Sequence, residues 1–189
     1  MYQNLGHSYL SFGDYKNAKF YLDKALKFIV TEKEDYFLHI LYNQAWLNAE
    51  LGNYELFESY GNRCLQSILK NLGKQNSAYI LLNRMLAEQY LELGNLTKST
   101  EIINDLEQVQ TQYYKTEFSE HHAVLKDLMG KIYEIRNDKK NAFNLYQQSL
   151  KIRDSLDEEN IYNIKTRYNL ANLAFELNDT ILSKNQVKK

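Results

Sequence analysis

The sequence predicts an all-α fold in which antiparallel helix pairs follow one another along the chain. None of the 189 residues is proline, so no helix needs to be interrupted by a residue that lacks a backbone donor. Small and apolar residues recur at helical spacing. A short turn signal built on Gly or Asn returns about every 40 residues, as expected when one supersecondary unit is repeated.

Each turn signal places an Asn or Asp directly after a residue that tolerates the left-handed conformation. The first of these residues ends one helix, and the side chain of the second can cap the exposed amides of the next helix. The five occurrences are Phe12-Gly13-Asp14-Tyr15, Leu51-Gly52-Asn53-Tyr54, Leu93-Gly94-Asn95-Leu96, Arg136-Asn137-Asp138-Lys139 and Leu177-Asn178-Asp179-Thr180.

These turns divide the chain into five helix pairs. We expect the first helices near 2–12, 34–51, 77–93, 119–136 and 158–177. Their partners are expected near 15–30, 54–72, 96–114, 139–155 and from 180 onward. Thr31 with Glu34 fits a capping box before the second pair, and Ser119 is placed to cap the first helix of the fourth pair.

Small residues mark the places where the two helices of a pair can approach closely. In the first helices they are Gly6, Ala45, Ala87, Gly130 and Ala171. The inner faces of the second helices are Ala18-Leu22-Ala25, Phe57-Gly61-Cys64, Ser99-Ile103-Leu106 and Ala142-Tyr146-Ser149. This spacing places one side of each second helix against its own first helix and the next one.

The spacing of these positions resembles the tetratricopeptide repeat, and Leu5-Gly6, Tyr9, Ala18, Leu22 and Ala25 match it best. The resemblance implies a right-handed α-solenoid of antiparallel helix pairs, a superhelical array over residues 1–189. Its units would be 1–32, 33–75, 76–116, 117–156 and 157–189. Because the last unit is truncated, we expect a fragment of a longer protein. The family's usual proline is missing, and the units are longer than the standard repeat.

Composition excludes several classes of function. The net charge is −1 and the pI is about 6.4, so we expect no direct nucleic-acid binding by this region. No apolar run is long enough to predict membrane insertion. We expect a cytoplasmic location, with the periplasm as the alternative if an export signal has been removed.

The chemistry-bearing residues predict neither an enzyme nor a cofactor. Adjacent His121 and His122 point about 100° apart on a helix, so they cannot hold a metal from one face. Glu117 with His121 would supply two ligands, and a third ligand is missing. Cys64 is the single cysteine and is expected to be a buried, inert thiol. We therefore expect no catalytic residue and no metal site.

The resemblance directs attention to the first helices, which line the binding groove in this family. The groove-facing sets are Gln3-Asn4-His7, Tyr42-Asn43-Trp46, Arg84-Met85-Glu88, Asp127-Leu128-Lys131 and Tyr168-Asn169-Asn172. An Asn amide can bond both polar groups of an extended peptide backbone, and Trp46 would be the strongest anchor. These residues predict a scaffold that binds a peptide or protein partner.

Two alternatives remain open. Tyr42 and Trp46 can instead pack across a helix interface, while Arg84–Glu88 and Asp127–Lys131 can be ordinary ion pairs four residues apart. The array can also serve as a structural scaffold that assembles homodimers. The family's carboxylate clamp is not reproduced, because Asn43 matches it but Gln3, His7, Leu81 and Met85 do not.

The segment from Tyr146 to Leu156, followed by 163–168, is similar to the segment that closes the array in bacterial sensor kinases and repeat-bearing transcriptional regulators. The resemblance implies that the scaffold is the sensing or interaction region of a bacterial signalling or transcription-regulatory protein.

Overall fold

The computed structural model of the protein describes residues 1–28, 35–115, 119–156 and 161–177, and every regular element in these ranges is an α-helix. The helices are α1 (Tyr2–Ser11), α2 (Tyr15–Lys27), α3 (Asp35–Glu50), α4 (Tyr54–Asn71), α5 (Ser77–Glu92), α6 (Leu96–Tyr114), α7 (Glu120–Ile135), α8 (Lys139–Leu156) and α9 (Ile161–Glu176). The all-α prediction is confirmed.

Some predicted features lie outside the described residues. They are the capping box of Thr31 and Glu34, the possible ligand Glu117, the turn residues Asn178 to Thr180, and the helix expected from residue 180 onward.

The helices form two compact bodies, Met1–Met85 and Leu86–Lys189. In the N-terminal body α1 packs with α2, α3 packs with α4, and both α1 and α2 contact α3. In the C-terminal body α6 packs with α7, α7 with α8, and α8 with α9. Each body is therefore built from consecutive helices.

The short turns between paired helices have the expected left-handed residue. Gly13 has φ +75°, and the N–H of Asp14 reaches back to the carbonyl oxygen of Tyr9 at 2.9 Å. Asn137 takes the same role with φ 60° and is followed by the bond from Asp138 N–H to Tyr133 O at 2.8 Å. These bonds satisfy carbonyls at the helix end and stop the helix within one residue.

Side-chain caps start the next helices at most of the predicted positions. The Oδ1 atoms of Asp14, Asn95 and Asp138 each accept a backbone N–H from the residue three positions later, at 3.1 to 3.2 Å. The pKa of Asp14 is lowered first by the hydrogen bond that the Asn17 side chain donates to its Oδ2 at 2.7 Å, and then by the backbone bond from the same residue. Ser119 Oγ accepts from His122 N–H, so its predicted capping role is confirmed.

Asn53 departs from this pattern. Its side chain makes no capping hydrogen bond, because its Nδ2 donates to Asn48 Oδ1 at 3.3 Å. Asn48 in turn donates its Nδ2 to the backbone oxygen of Gln44 at 2.8 Å. The prediction of a side-chain cap at Asn53 is wrong, because a neighbouring amide competes for the side chain.

The predicted packing register is confirmed. The small positions of α1, α3, α5, α7 and α9 are all buried, as are the inner faces of α2, α4, α6 and α8. In the N-terminal body Leu10, Ala18, Leu22 and Leu47 form one buried cluster. The C-terminal body has a cluster of Ala142, Tyr146, Leu150, Leu170 and Leu173.

Candidate functional site

A groove of about 900 Å³ opens in the N-terminal body, and we call it the N-terminal groove. It lies among α1, α3, the C-terminal half of α4 and the start of α5. Four residues predicted from the sequence line it: Gln3, His7, Tyr42 and Asn43. The polar residues that the sequence reasoning missed are His39, Ser67, Asn71 and Ser77.

The floor of the N-terminal groove is apolar. Cys64 and Ile68 are 1% exposed, and Leu82 is fully buried. Near the mouth Leu72 is 47% exposed and Leu81 is 41% exposed, so two leucine side chains remain open to a bound molecule. An apolar surface with a few polar groups is the usual composition of a ligand site.

The Cys64 thiol fits the predicted inert role. Its Sγ lies 3.5 Å from the backbone oxygen of Leu38, and burial raises its pKa to about 12. A thiol with such a pKa carries almost no thiolate at neutral pH and is a poor nucleophile.

Asn43 is the most informative polar residue of the groove. It is 2% exposed, and its Oδ1 accepts a hydrogen bond from Nδ1 of His7 at 3.0 Å. Among the described residues the Nδ2 group of Asn43 has no hydrogen-bond partner. The Nδ2 group can therefore donate to an acceptor that enters the groove.

Trp46 does not line the N-terminal groove, but it contacts His7, which does. The His7 ring meets the Trp46 ring edge-on, with centroids 5.9 Å apart. Trp46 Nε1 donates to Glu50 Oε1 at 3.0 Å, and Tyr15 OH donates to Glu50 Oε2 at 2.8 Å. For Trp46 the structure therefore shows packing across a helix interface, while His7 and Asn43 reach the groove.

The remaining predicted residues of α1 and α5 are placed differently. Asn4 is exposed and does not line the N-terminal groove. Arg84 and Glu88 are half-buried on α5, and each already has an interaction partner. Met85 is 6% exposed.

In the C-terminal body Asp127 belongs to an internal polar network. Its Oδ2 lies 2.8 Å from Nη1 of Arg153, and it accepts a bond from Thr166 Oγ1 at 3.0 Å. Arg153 is fully buried and also bonds Glu120 through its Nε at 3.0 Å. The network ties α7, α8 and α9 together.

The structure corrects the predicted ion pair of Asp127 with Lys131. Lys131 lies 3.4 Å from Glu134, while Asp127 faces Arg153. Burial raises the pKa of Asp127, although the nearby Arg153 charge opposes the shift. Sequence reasoning missed Arg153, yet it follows the buried Ser149 by one helical turn and so continues the inner face of α8.

The predicted residues of α9 lie at its surface. Tyr168 is 65% exposed, Asn172 is exposed and Asn169 is half-buried. The neighbouring Tyr146 is buried, and its hydroxyl donates to Glu134 Oε2 at 2.9 Å. Burial, first of all, raises the pKa of Tyr146.

The histidine pair of α7 is used for packing. His121 stacks on Tyr114 with centroids 5.1 Å apart, and His122 is 3% exposed with its Nδ1 2.7 Å from Ser119 Oγ. Across the described ranges no three His, Cys, Asp or Glu side chains are grouped so as to hold a metal ion. In those same ranges no helix combines the length and hydropathy required of a bilayer-spanning segment.

Comparison with protein families gives a match for the first pair of helices. Residues 1–28 match the family model described as a tetratricopeptide repeat. A search of curated protein sequences gives no match. Tetratricopeptide repeats generally mediate protein–protein interaction, and scaffolds of this kind are generally non-catalytic.

Solved structures extend the likeness to the rest of the chain. BtubC (BKLC) from P. vanneervenii is similar with a TM-score of 0.79 and 18% identity, over 97% of this chain and 74% of BtubC. A second similar structure contains the tetratricopeptide-like repeats of a putative kinesin light chain from Podosopora anserina. It has a TM-score of 0.73 and 12% identity, over 99% of this chain and 90% of that chain. A variant of that protein gives 0.75. The predicted solenoid fold is confirmed, and the predicted family resemblance is confirmed for residues 1–28.

Proposed function

We propose that this chain, which carries a tetratricopeptide repeat at its start and has the fold of such arrays, is a protein-binding module whose N-terminal groove holds an extended peptide segment. The observation that carries the proposal is the half-satisfied amide of Asn43. Its Nδ2 group offers two donors to a partner, and a backbone carbonyl of an extended segment is an acceptor of the right kind. His7 supports this role because its bond to Oδ1 fixes the orientation of the amide.

The composition of the groove indicates the chemistry of the bound segment. None of the described residues that line it is Lys, Arg, Asp or Glu. A charged partner side chain would lose hydration there without gaining an ion pair. We therefore expect a segment that places an uncharged, bulky apolar side chain against Leu72 and Leu81 and uses its backbone for hydrogen bonds.

A peptide selection tests this proposal directly. A phage-displayed library of random dodecapeptides is selected on the purified chain, and enriched peptides are synthesised with a fluorescent label for anisotropy measurements. Leu81→Ser removes an apolar contact at the groove mouth. Leu69→Ser is a matched control, because Leu69 on α4 is similarly exposed, 43% against 41%, but does not line the groove.

We expect enriched peptides to carry a large apolar residue and to lose about tenfold in affinity on Leu81→Ser, since the lost burial is worth about 1.5 kcal/mol. Leu69→Ser should leave the affinity unchanged. Equal effects of the two substitutions would show that the peptides bind elsewhere.

We further propose that the scaffold is the interaction region of a bacterial signalling or transcription-regulatory protein in the cytoplasm. The support is the similarity of the segment around α8 and α9 to the closing segment of such arrays. Benzoylphenylalanine placed at position 81 in the full-length protein would crosslink the partner in living cells. Identification of a metabolic enzyme or a structural protein as the specific crosslinked partner would contradict this context.

The alternative role is a scaffold built from copies of the chain. Light scattering on the purified chain tests it, because a chain that stays monomeric at high concentration would contradict that role.

A further inference from the structure

His7 and Asn43 form one polar unit on the wall of the N-terminal groove. Both residues line the groove, and Nδ1 of His7 lies 3.0 Å from Oδ1 of Asn43. A carboxamide oxygen can only accept hydrogen bonds, so Nδ1 of His7 carries the proton in this bond. In a neutral imidazole the other ring nitrogen is then unprotonated, and Nε2 of His7 is an acceptor.

This unit offers two different groups to a bound molecule. Asn43 supplies the donor Nδ2, and His7 supplies the acceptor Nε2. Among the described residues neither atom has a hydrogen-bond partner. In an extended segment the N–H and C=O groups of one residue point to the same side of the chain, as they do in a hydrogen-bonded pair of β-strands. Such a residue needs one acceptor and one donor, which is what the unit provides.

The acceptor depends on the charge of the His7 ring. Histidine commonly takes up a proton between pH 8 and pH 5, and a charged imidazole has two donors and no acceptor. His7 is exposed, so a proton can reach it from solvent. Protonation would leave the Asn43 donor in place, but it would convert Nε2 of His7 from an acceptor into a second donor.

No carboxylate among the described lining residues would compensate the added charge. The side chains from α3, α4 and α5 that line the groove and can titrate are His39, Tyr42 and Cys64. Helix α1 has no charged side chain, and no described residue of α2 lines the groove. The carboxylate of Glu50 on α3 is bonded to Nε1 of Trp46 and does not line the groove. The second histidine, His39, therefore needs a control of its own.

We propose, on the basis of the peptide-binding function above, that His7 and Asn43 together bind the N–H and C=O groups of one residue of the peptide, and that protonation of His7 weakens this binding. The site then selects a residue with a backbone N–H, which excludes proline at this position. Because binding and protonation are linked, a bound peptide favours the neutral ring and a lower pH favours the empty groove.

Fluorescence anisotropy with a library-selected peptide tests the proposal on the full chain, at about pH 7.5 and about pH 5.5. The peptide is acetylated, amidated, free of His, Asp and Glu, and labelled with a rhodamine, so that only the protein titrates. His7→Gln keeps a donor for Asn43 and an acceptor for the peptide, but it takes up no proton in this range. His39→Gln is the matched control, because His39 lines the same groove but does not bond Asn43 Oδ1. Circular dichroism at both pH values establishes that each protein is folded.

We expect the wild-type chain and His39→Gln to bind the peptide about fivefold to tenfold less tightly at the lower pH, and His7→Gln to bind it equally at both. Methylation of one backbone nitrogen of the peptide should cost the wild-type chain about tenfold in affinity. The same methyl group should cost His7→Phe clearly less, because that variant has no acceptor to lose.

The outcomes separate this proposal from the proposed function. A peptide whose binding depends on Leu81 but is equal at the two pH values would overturn the role of His7 and leave the peptide-binding function standing. A pH dependence that persists in His7→Gln, or that disappears in His39→Gln, would overturn it as well. A chain that selects no peptide would contradict the proposed function and the role of His7 together.

Discussion

Gly130 is the position where a single methyl group should reveal the tight approach of α7 to α8. A Cβ atom there would lie 2.7 Å from Cε1 and 3.0 Å from Cδ1 of Tyr146. The ring cannot move away easily, because it is fully buried and its hydroxyl is bonded to Glu134. Overpacking of this kind costs about 1–3 kcal/mol, while Ala gains about 0.5–1 kcal/mol over Gly in a helix. We expect Gly130→Ala to lower the free energy of unfolding by about 1–2 kcal/mol.

Urea denaturation followed by circular dichroism measures this loss as a lower midpoint at an unchanged slope. The double variant Gly130→Ala/Tyr146→Leu separates the clash from other effects. Without the ring, the added methyl group should cost little, so the two substitutions should show a coupling energy of about 1 kcal/mol or more. A neutral or stabilising Gly130→Ala would refute the packing described for this hairpin.

Three further predictions concern the core and the buried polar groups. Ala18→Phe should cost about 1–3 kcal/mol in urea denaturation, since Ala18 is fully buried, and a change below about 0.5 kcal/mol would contradict the register. Arg153→Met should cost about 3 kcal/mol at pH 7, because it leaves Asp127 and Glu120 without their cation. Because burial already raises the pKa of Asp127, its protonation as the pH falls below 7 should shrink that deficit, and a deficit that does not change with pH would contradict this explanation. Cys64 should react with a thiol reagent at pH 8 at least about a hundredfold more slowly in the folded chain than in urea, because burial raises its pKa to about 12; equal rates would show an open thiol.

The positions of the helices could be predicted from the sequence because they depend on local chemistry. Gly13 and Asn137 end helices through their own backbone conformation, and the caps at Asp14 and Asp138 involve residues three positions away. Asn53 shows where this reasoning fails. Its side chain had a second partner in Asn48, and nothing within the turn signal decides between the two bonds.

The candidate site could be predicted in part. The family resemblance pointed to the first helices, and the periodicity of those helices then indicated His7 and Asn43, which meet in the groove. Ser67 and Asn71 were missed because they come from the second helix α4, whose end reaches the groove. The partners of Asp127 could not be derived either. They come from α8 and α9, and their contact depends on how three helices pack rather than on spacing within one.

The proposed binding of a peptide by Asn43 depends on the Nδ2 donor. A substitution by Asp removes this donor and keeps the shape of the side chain. Asn43→Asp keeps an oxygen next to His7 and places an acceptor where Nδ2 was. Asn172→Asp on the exposed face of α9 is the matched control for the added charge.

The most direct measurement is the affinity of a library-selected peptide for the wild-type chain and for Asn43→Asp, by fluorescence anisotropy. We predict at least about a tenfold loss for Asn43→Asp, since a buried hydrogen bond is exchanged for two facing acceptors, and no loss for Asn172→Asp. Equal affinity of the wild-type chain and Asn43→Asp, with both proteins folded, would contradict the account of the N-terminal groove.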